Sequence, residues 1–291
     1  MLDLQSRPAA AVFPASADVQ AIVRLALAED IGRGDLTTEA TVPPDSFIVA
    51  ELLQKSPGVV CGLPVVETVF HSLHPRVSVT PLGEEGSYAE HRRVVARIEG
   101  PAPAILSGER TALNFLQRLS AVATMSRRAS ELVAHTRARI IDTRKTTPGL
   151  RVLEKYAVRV GGSSNHRAGL DDGLLIKENH IRAAGGITPA VQAAQRRAAP
   201  GQLVEVEVTS LEELDEALTA GATLILLDNF SVDGLRRAVE RTAGRARLEA
   251  SGGITLNNLP EVAATGVDFI SLGALTHSAG ALDFSLEVVS S

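Results

Sequence analysis

LVEVEVTSLEELDEALTAGATLILLDNFSVDGLRRAVERTAGRARLEASGG, residues 203–253, decides the fold. It holds three short apolar runs, LVEVEV (203–208), LILLD (224–228) and RLEAS (247–251). Between them, SLEELDEALTAG and SVDGLRRAVERTAG place apolar residues at helical spacing and end at Gly, as helices often do. Strand followed by helix, repeated, implies a parallel sheet, because a parallel return needs a crossover segment. The same alternation extends outward to RIIDT (139–143), GLLIK (173–177) and DFISL (268–272), with TPAVQAAQRRAA and TLNNLPEVAATG as further helical patterns. Six strands are therefore expected.

A second regularity concerns the polar residues. Lys177, Glu207, Asp228, Ser251 and Gly273 each sit at or just past the C-terminal end of a strand, at intervals of 30, 21, 23 and 22. In a (β/α) barrel those ends ring one face, where barrel enzymes carry their chemistry. A carboxylate ending a strand can simply cap the next helix, but five consecutive polar or small strand ends make that reading poor. Six strands are fewer than the usual eight, so the barrel should be incomplete. Upstream, residues 18–29 read as a helix. FIVAELLQK, RVSVTPLGEEGSY and RRVVARIEG then read as strands of an antiparallel α+β unit. EGPAPAIL reads as a hinge, with Ser107 as N-cap of a long helix striped by Leu113, Leu116, Leu119, Val122 and Ala123.

Composition narrows the function classes. The 291 residues are 45% apolar and 22% charged with net charge −5, which excludes a disordered chain and argues against nucleic-acid or anionic-membrane binding. The single cysteine, Cys61, permits no internal disulfide and no CxxC site, so a reducing cytoplasmic setting is the default. AAAVFPASA (9–17) faintly resembles the end of a signal peptide, but Asp3, Pro8 and Pro14 read against one. No run approaches ~20 apolar residues, the length a spanning helix needs.

The average charge hides a concentration of cations. From Arg137 to Arg182 there are ten Lys or Arg against five acids, a local +5. Arg151, Lys155 and Arg159 fit a solvated helix face. Arg144, Lys145 and Lys177 instead follow buried-looking strands, where an unpaired charge is costly. His166 and Arg167, after the flexible GGSSN, could fold over the same face. Such a set implies a ligand with several negative charges. EASGGIT and SLGALTH add small residues at strand ends, and Ser251, Gly252 and Gly253 before a helix expected at Thr255 read as a phosphate site. Glu207 and Asp228 could orient sugar hydroxyls, hold Mg²⁺ through water or stabilise a cationic transition state. There is no P-loop, GxGxxG, GxSxG or HExxH. HSLH (71–74) reads as surface and DDG (171–173) as a turn.

These motifs resemble the quinolinate phosphoribosyltransferase family. The resemblance rests on EDIGRGDLTT, GERTALNFLQRLSAVAT, DTRKTTPGLRVLEKYAV, GGSSNHRAGLDDGLLIKENHI, VEVEVTSLEEL, LLDNF, EASGGI and ISLGALTHS, in order from about residue 29 to the end. Val160 and Ser163 depart from the family pattern, which often has Cys and Gly there. The resemblance implies an α/β protein: an N-terminal α/β sandwich, residues 1–112 joined by the tail 280–291, and an incomplete TIM-like barrel, residues 113–279. It implies condensation of quinolinate with phosphoribosyl pyrophosphate to nicotinate mononucleotide, pyrophosphate and CO₂, with Mg²⁺, in NAD biosynthesis.

By the same resemblance Arg110, Thr143, Arg144, His166, Arg167 and Lys177 bind quinolinate. Lys145, Lys177, Glu207 and Asp228 serve phosphoribosyl pyrophosphate and the reacting centre, with Glu207 and Asp228 also toward the metal. Ser251, Gly252 and Gly253, and Ser271, Leu272, Gly273 and Ala274, hold the 5-phosphate. Arg110 comes from a partner subunit, so the active unit is a homodimer. Rival readings are nicotinate phosphoribosyltransferase, the molybdenum-transport-associated paralogue, a Schiff-base lyase using Lys145 or Lys177, and a non-catalytic sensor.

Overall fold

The structure is a computed structural model that describes residues 11–290. Asp3 and Pro8, which bear on the signal-peptide reading, lie outside the described residues. The first elements are α1 (Ser16–Ile31), α2 (Leu36–Thr41), β1 (Phe47–Gln54), β2 (Gly58–Val59), α3 (Leu63–Leu73), β3 (Ser78–Pro81), β4 (Tyr88–Ala89), β5 (Arg93–Pro101) and α4 (Ala102–Val133). Then come β6 (Arg139–Ile141), α5 (Arg151–Val160), β7 (Leu174–Ile176), α6 (Glu178–Ala184), α7 (Ile187–Arg197), β8 (Val204–Val208), α8 (Leu211–Thr219) and β9 (Leu224–Asp228). The last are α9 (Val232–Thr242), β10 (Arg247–Ser251), α10 (Leu259–Ala263), β11 (Phe269–Ser271), α11 (Ala274–His277) and β12 (Phe284–Ser290).

The chain divides into two compact units. One comprises the described residues up to Arg127, Thr147–Gly162 and the segment from Ser278; the other comprises Arg128–Thr146 and Ser163–His277. In the first, β12-β1-β5-β3 form an antiparallel sheet, so the C-terminal strand pairs with the first strand along Ala50↔Val288 to Gln54↔Phe284. Its core gathers Val19 and Val23 of α1, Leu52 of β1, Phe70 of α3 and Ile98 of β5, all buried. Asp35 caps α2, accepting from Thr38 N at 3.0 Å and from the Thr38 and Ser107 hydroxyls at 2.6 and 2.9 Å. Those bonds hold its carboxyl below the usual range.

Two expectations need correction here. Ser107 is not an N-cap: α4 starts at Ala102, directly out of β5, and Ser107 bonds Asp35 instead. Pro103 lies in the first turn, where a missing N–H costs nothing, so the Pro-rich stretch begins the helix and is no hinge. Nor does α5 have a solvated face around Lys155. Residues 153 to 158 are all buried, Lys155 at 5% exposure. Glu154, fully buried, is matched by Arg118 at 2.8 Å and by the Thr147 hydroxyl at 2.7 Å. The helical charges are therefore part of the packing.

In the second unit the six-stranded parallel sheet runs β6-β11-β10-β9-β8-β7, leaving β6 and β7 as edges. Buried Ile141, Leu224 and Phe269, from β6, β9 and β11, pack together with Leu203 beside them, so the sheet curls around a shared interior. This is the incomplete barrel. Residues 163–167 run along the free edge of β6, where Ser164 N donates to Ile140 O at 2.9 Å and Asp142 N to Ser164 O at 3.1 Å.

Gly161 ends α5 where that helix meets α4: a Cβ built there would overlap the carbonyl oxygen of Ala123. Gly161→Ala is expected to destabilise the protein by about 2 kcal/mol or more through overpacking, read as a lower thermal midpoint. An unchanged midpoint would show that α4 and α5 separate without cost.

Candidate active site

One cavity of about 530 Å³ receives side chains from the end of every barrel strand. Thr143, Arg144 and Lys145 follow β6; Leu175 and Lys177 come from β7 and its end; Glu207 ends toward it from β8. Leu226 and Asp228 lie on β9, Glu249 and Ser251 on β10, and Ser271 on β11. Strand alternation explains the pairs two apart, because residues i and i+2 share a face. His166, Arg167, Asn229, Gly252 and Gly253 complete the lining.

The cavity is electrically divided. Arg167 is held down by burial and by the neighbouring Arg144 guanidinium, so two cations stand close together. Such a pair is relieved by a ligand with two carboxylates. Lys177 Nζ contacts Glu207 Oε2 at 2.8 Å. Asp228 is pushed above the usual carboxylate range by burial and then by the Glu207 charge, with Lys177 and Lys145 opposing the shift. A carboxylate pair in which the Glu207 charge raises the proton affinity of Asp228 is a natural seat for developing positive charge.

Beside Asp228 is the glycine turn that follows Ser251. Gly252 and Gly253 both have positive φ, +91° and +62°, and a Cβ on Gly252 would overlap the Asn229 carboxamide. Asn229, itself at φ 57°, donates its N–H to Ser251 O at 2.9 Å and its Nδ2 to Asp228 Oδ2 at 2.9 Å. The expected helix start at Thr255 is corrected: α10 begins at Leu259, and the intervening turn closes with Thr255 N donating to Asn258 Oδ1 at 2.7 Å. The Asn258 side chain competes for the amide that would open the helix.

Not every residue singled out in the sequence lines the cavity. Arg110 is exposed on α4, in the other unit. Leu272, 1% exposed, commits its N–H to Ile141 O at 2.9 Å. Gly273 lies beside Lys145, where an added Cβ would be 3.2 Å from Lys145 Cδ, and Ala274 opens α11. Lys145 is also anchored through its carbonyl, which accepts from Thr276 Oγ1 at 2.8 Å.

Three residues escaped the sequence reading. Glu205 and Glu249 are 3% and 2% exposed inside the barrel, two residues below Glu207 and Ser251. Asp142, fully buried, accepts from His166 N at 2.8 Å and from Asn165 Nδ2 at 2.6 Å. The signal was present in VEVEV and RLEAS: an acid at i must face inward if its partner at i+2 does. Burial pushes Glu205 up to about 7 and raises Glu249 well above the carboxylate range, with Glu205 adding to the latter.

Comparison with known proteins follows the same order along the chain. The family model described as "Quinolinate phosphoribosyl transferase, C-terminal domain" matches residues 122–287, and its N-terminal-domain counterpart matches residues 35–120. A "Probable nicotinate-nucleotide pyrophosphorylase [carboxylating]" of Bacillus subtilis is 46% identical over 260 residues, covering 89% of this chain and 90% of that one. The solved nicotinate-nucleotide pyrophosphorylase from Francisella tularensis superposes with TM-score 0.90 at 40% identity, covering 95% of this chain and 98% of that one. Human nicotinic acid phosphoribosyltransferase shares the fold alone, at TM-score 0.59 and 13% identity.

The raised carboxyl of Glu205 has a measurable consequence. Folded, it keeps its proton up to about pH 7; its ordinary value is 4.5, so the unfolded chain releases the proton earlier. This contribution to stability is full below 4.5 and is lost as pH rises through about 7. Unfolding free energy should fall over that window with a slope of up to about 1.4 kcal/mol per pH unit. Glu205→Gln should flatten the slope in denaturant titrations; an identical slope in the variant would refute the assignment.

Proposed function

The chain belongs to the quinolinate phosphoribosyltransferase family, and on that premise we propose how its residues divide the work. The activity is that of a carboxylating nicotinate-nucleotide pyrophosphorylase: quinolinate and phosphoribosyl pyrophosphate give nicotinate mononucleotide, pyrophosphate and CO₂ in NAD biosynthesis. One observation carries the assignment of residues. Arg144, Arg167 and Lys177 share a cavity with Lys145, two carboxylates and a glycine turn. A substrate pair with two carboxylates, a phosphate and a pyrophosphate is what this arrangement of charge fits.

Arg144, Arg167 and Lys177 take the two carboxylates of quinolinate, with Thr143 and His166 beside them. Arg110 reaches the same dicarboxylate from a second copy of the chain, which makes the homodimer the active unit. Ser251, Gly252 and Gly253, with Ser271 and the Gly273–Ala274 turn, receive the 5-phosphate on backbone donors and hydroxyls. Lys145 stands at the reacting centre and neutralises the pyrophosphate. Glu207 and Asp228 orient the ribose hydroxyls and stabilise C1 as it becomes oxocarbenium-like. The ring nitrogen of quinolinate then attacks C1. The resulting pyridinium draws electrons from C2, so its carboxylate leaves as CO₂ and a proton takes its place.

The donor set also fits Mg²⁺, since Glu207 and Asp228 are oxygen ligands whose mutual repulsion a divalent cation relieves. Bound there, directly or through water, the ion would supply charge neutralisation for the leaving pyrophosphate. Among the described residues no helix is long and apolar enough to cross a membrane. With its one buried cysteine, the protein is placed by this reading in the cytoplasm.

Incubation with quinolinate, phosphoribosyl pyrophosphate and Mg²⁺ should yield nicotinate mononucleotide and CO₂; folded protein giving no product sinks the reading. Nicotinate in place of quinolinate should turn over poorly. Glu207→Ala and Asp228→Ala are each expected to lower kcat by about a hundredfold or more while quinolinate still binds. Chelation of Mg²⁺ should abolish turnover. Mixing Arg110→Ala with Arg144→Ala, each inactive alone, should restore about a quarter of wild-type activity, because half the dimers then carry one intact site. No recovery on mixing would place Arg110 in its own subunit's site.

A further inference from the structure

His166, Glu205 and Glu249 are all buried, and one ligand atom from each lies within 4.8 Å of the others. His166 comes from the segment along the edge of β6, while the two acids project from β8 and β10. The hydrogen bonds around the imidazole determine its protonation state. The backbone N–H of Arg167 points at His166 Nδ1, at 2.8 Å. A main-chain amide can only donate, so Nδ1 accepts and carries no proton. The ring proton therefore resides on Nε2, and Nε2–H donates to Glu205 Oε2 at 2.9 Å, with Glu249 Oε2 at 3.6 Å. Both ring nitrogens are committed to the protein.

We propose that Glu205 is a positioning residue that locks His166 as the neutral Nε2–H tautomer, so that His166 meets quinolinate with its ring carbons and fixes the Arg167 main chain. This rests on the reading of the cavity as the quinolinate site. Recognition of the two carboxylates then falls to Arg144, Arg167 and Lys177, and the imidazole joins Leu175 and Leu226 as the apolar wall for the heteroaromatic ring. The Arg167 guanidinium is set from a main chain gripped on several sides. Asp142 takes the His166 N–H, His166 takes the Arg167 N–H, and Arg167 Nη1 donates to Gly173 O at 3.3 Å.

A metal ion held by the three residues is the competing reading, and the tautomer opposes it. A histidine that ligates through Nε2 ordinarily donates an Nδ1 proton to an outer partner. Here Nδ1 faces a donor, so ligation would require an imidazolate. The imidazole faces Glu205 Oε2 at 2.9 Å and Glu249 Oε2 at 3.6 Å, so its Nε2–H already has its acceptor within the protein.

The test has a spectroscopic arm and a kinetic arm. In ¹⁵N-labelled protein near neutral pH, with His166→Gln to assign the resonance, the His166 ring should show Nε2 protonated and Nδ1 bare. An Nδ1–H pattern or an imidazolium overturns the proposal. Glu205→Gln keeps an acceptor for Nε2–H, so kcat/KM for quinolinate should stay within about threefold of wild type. Glu205→Leu removes it and should lower that ratio by about a hundredfold, mainly through KM for quinolinate, with KM for phosphoribosyl pyrophosphate nearly unchanged. Equal losses in both variants, or none in either, also overturn it. Should the Leu variant fail to fold, the spectrum and the Gln variant decide. The spectrum needs no substrate, so wild-type protein without turnover would sink the functional reading while the tautomer is still judged.

Discussion

In a parallel sheet curled on itself, only every second side chain faces the interior, and only the C-terminal strand ends open to the mouth. Everything at the site follows from that. Leu175 precedes Lys177, Glu205 precedes Glu207, Leu226 precedes Asp228 and Glu249 precedes Ser251, each pair two residues apart, on one strand or, for Lys177, just past its end. The upper members ring the mouth; below them Leu175 and Leu226 add apolar wall to the cavity, and Glu205 bonds His166. Beneath lies the apolar floor of Ile141, Leu224 and Phe269.

That geometry lets an acidic chain hold polyanions. The net charge is −5, yet Arg144, Arg167 and Lys177 converge on one cavity, where burial and the neighbouring Arg144 guanidinium favour an anion beside Arg167. Glu207 and Asp228 share the same mouth, and Lys177 ties the two charge zones together through its contact with Glu207. The site is thus organised before ligand arrives, with repulsive pairs on each side that bound substrate would relieve. The cost of organising it is met by the surrounding sheet, whose register fixes Asp228 opposite Ser251 and Glu207 opposite Leu226.

The missing strands matter as well. With β6 and β7 each paired to a strand on one side only, a segment without regular structure could follow the outer edge of β6 and carry His166 and Arg167 inward. An eight-stranded barrel would have covered that edge with a strand and its hydrogen-bond ladder. Here Ser164 bonds that edge, accepting from Asp142 N and donating to Ile140 O, and His166 and Arg167 beyond it line the cavity.

The sequence alone determined the strand and helix alternation, the polar strand ends and the cationic window, because periodicity and charge are local properties legible in one dimension. It also carried the family resemblance through contiguous motifs. It misjudged Ser107, Lys155 and the helix at Thr255, since each depends on a partner distant in space or on a side chain competing for an amide. Glu205 and Glu249 were written in VEVEV and RLEAS, yet nothing local says that two inward acids share a pocket with a histidine from a third segment. That was decided by the curl of the sheet, which brings Glu205 of β8 into hydrogen-bond contact with His166 and Glu249 of β10 to 3.6 Å from the same nitrogen. Burial then gives those groups a protonation pattern that no isolated peptide would have.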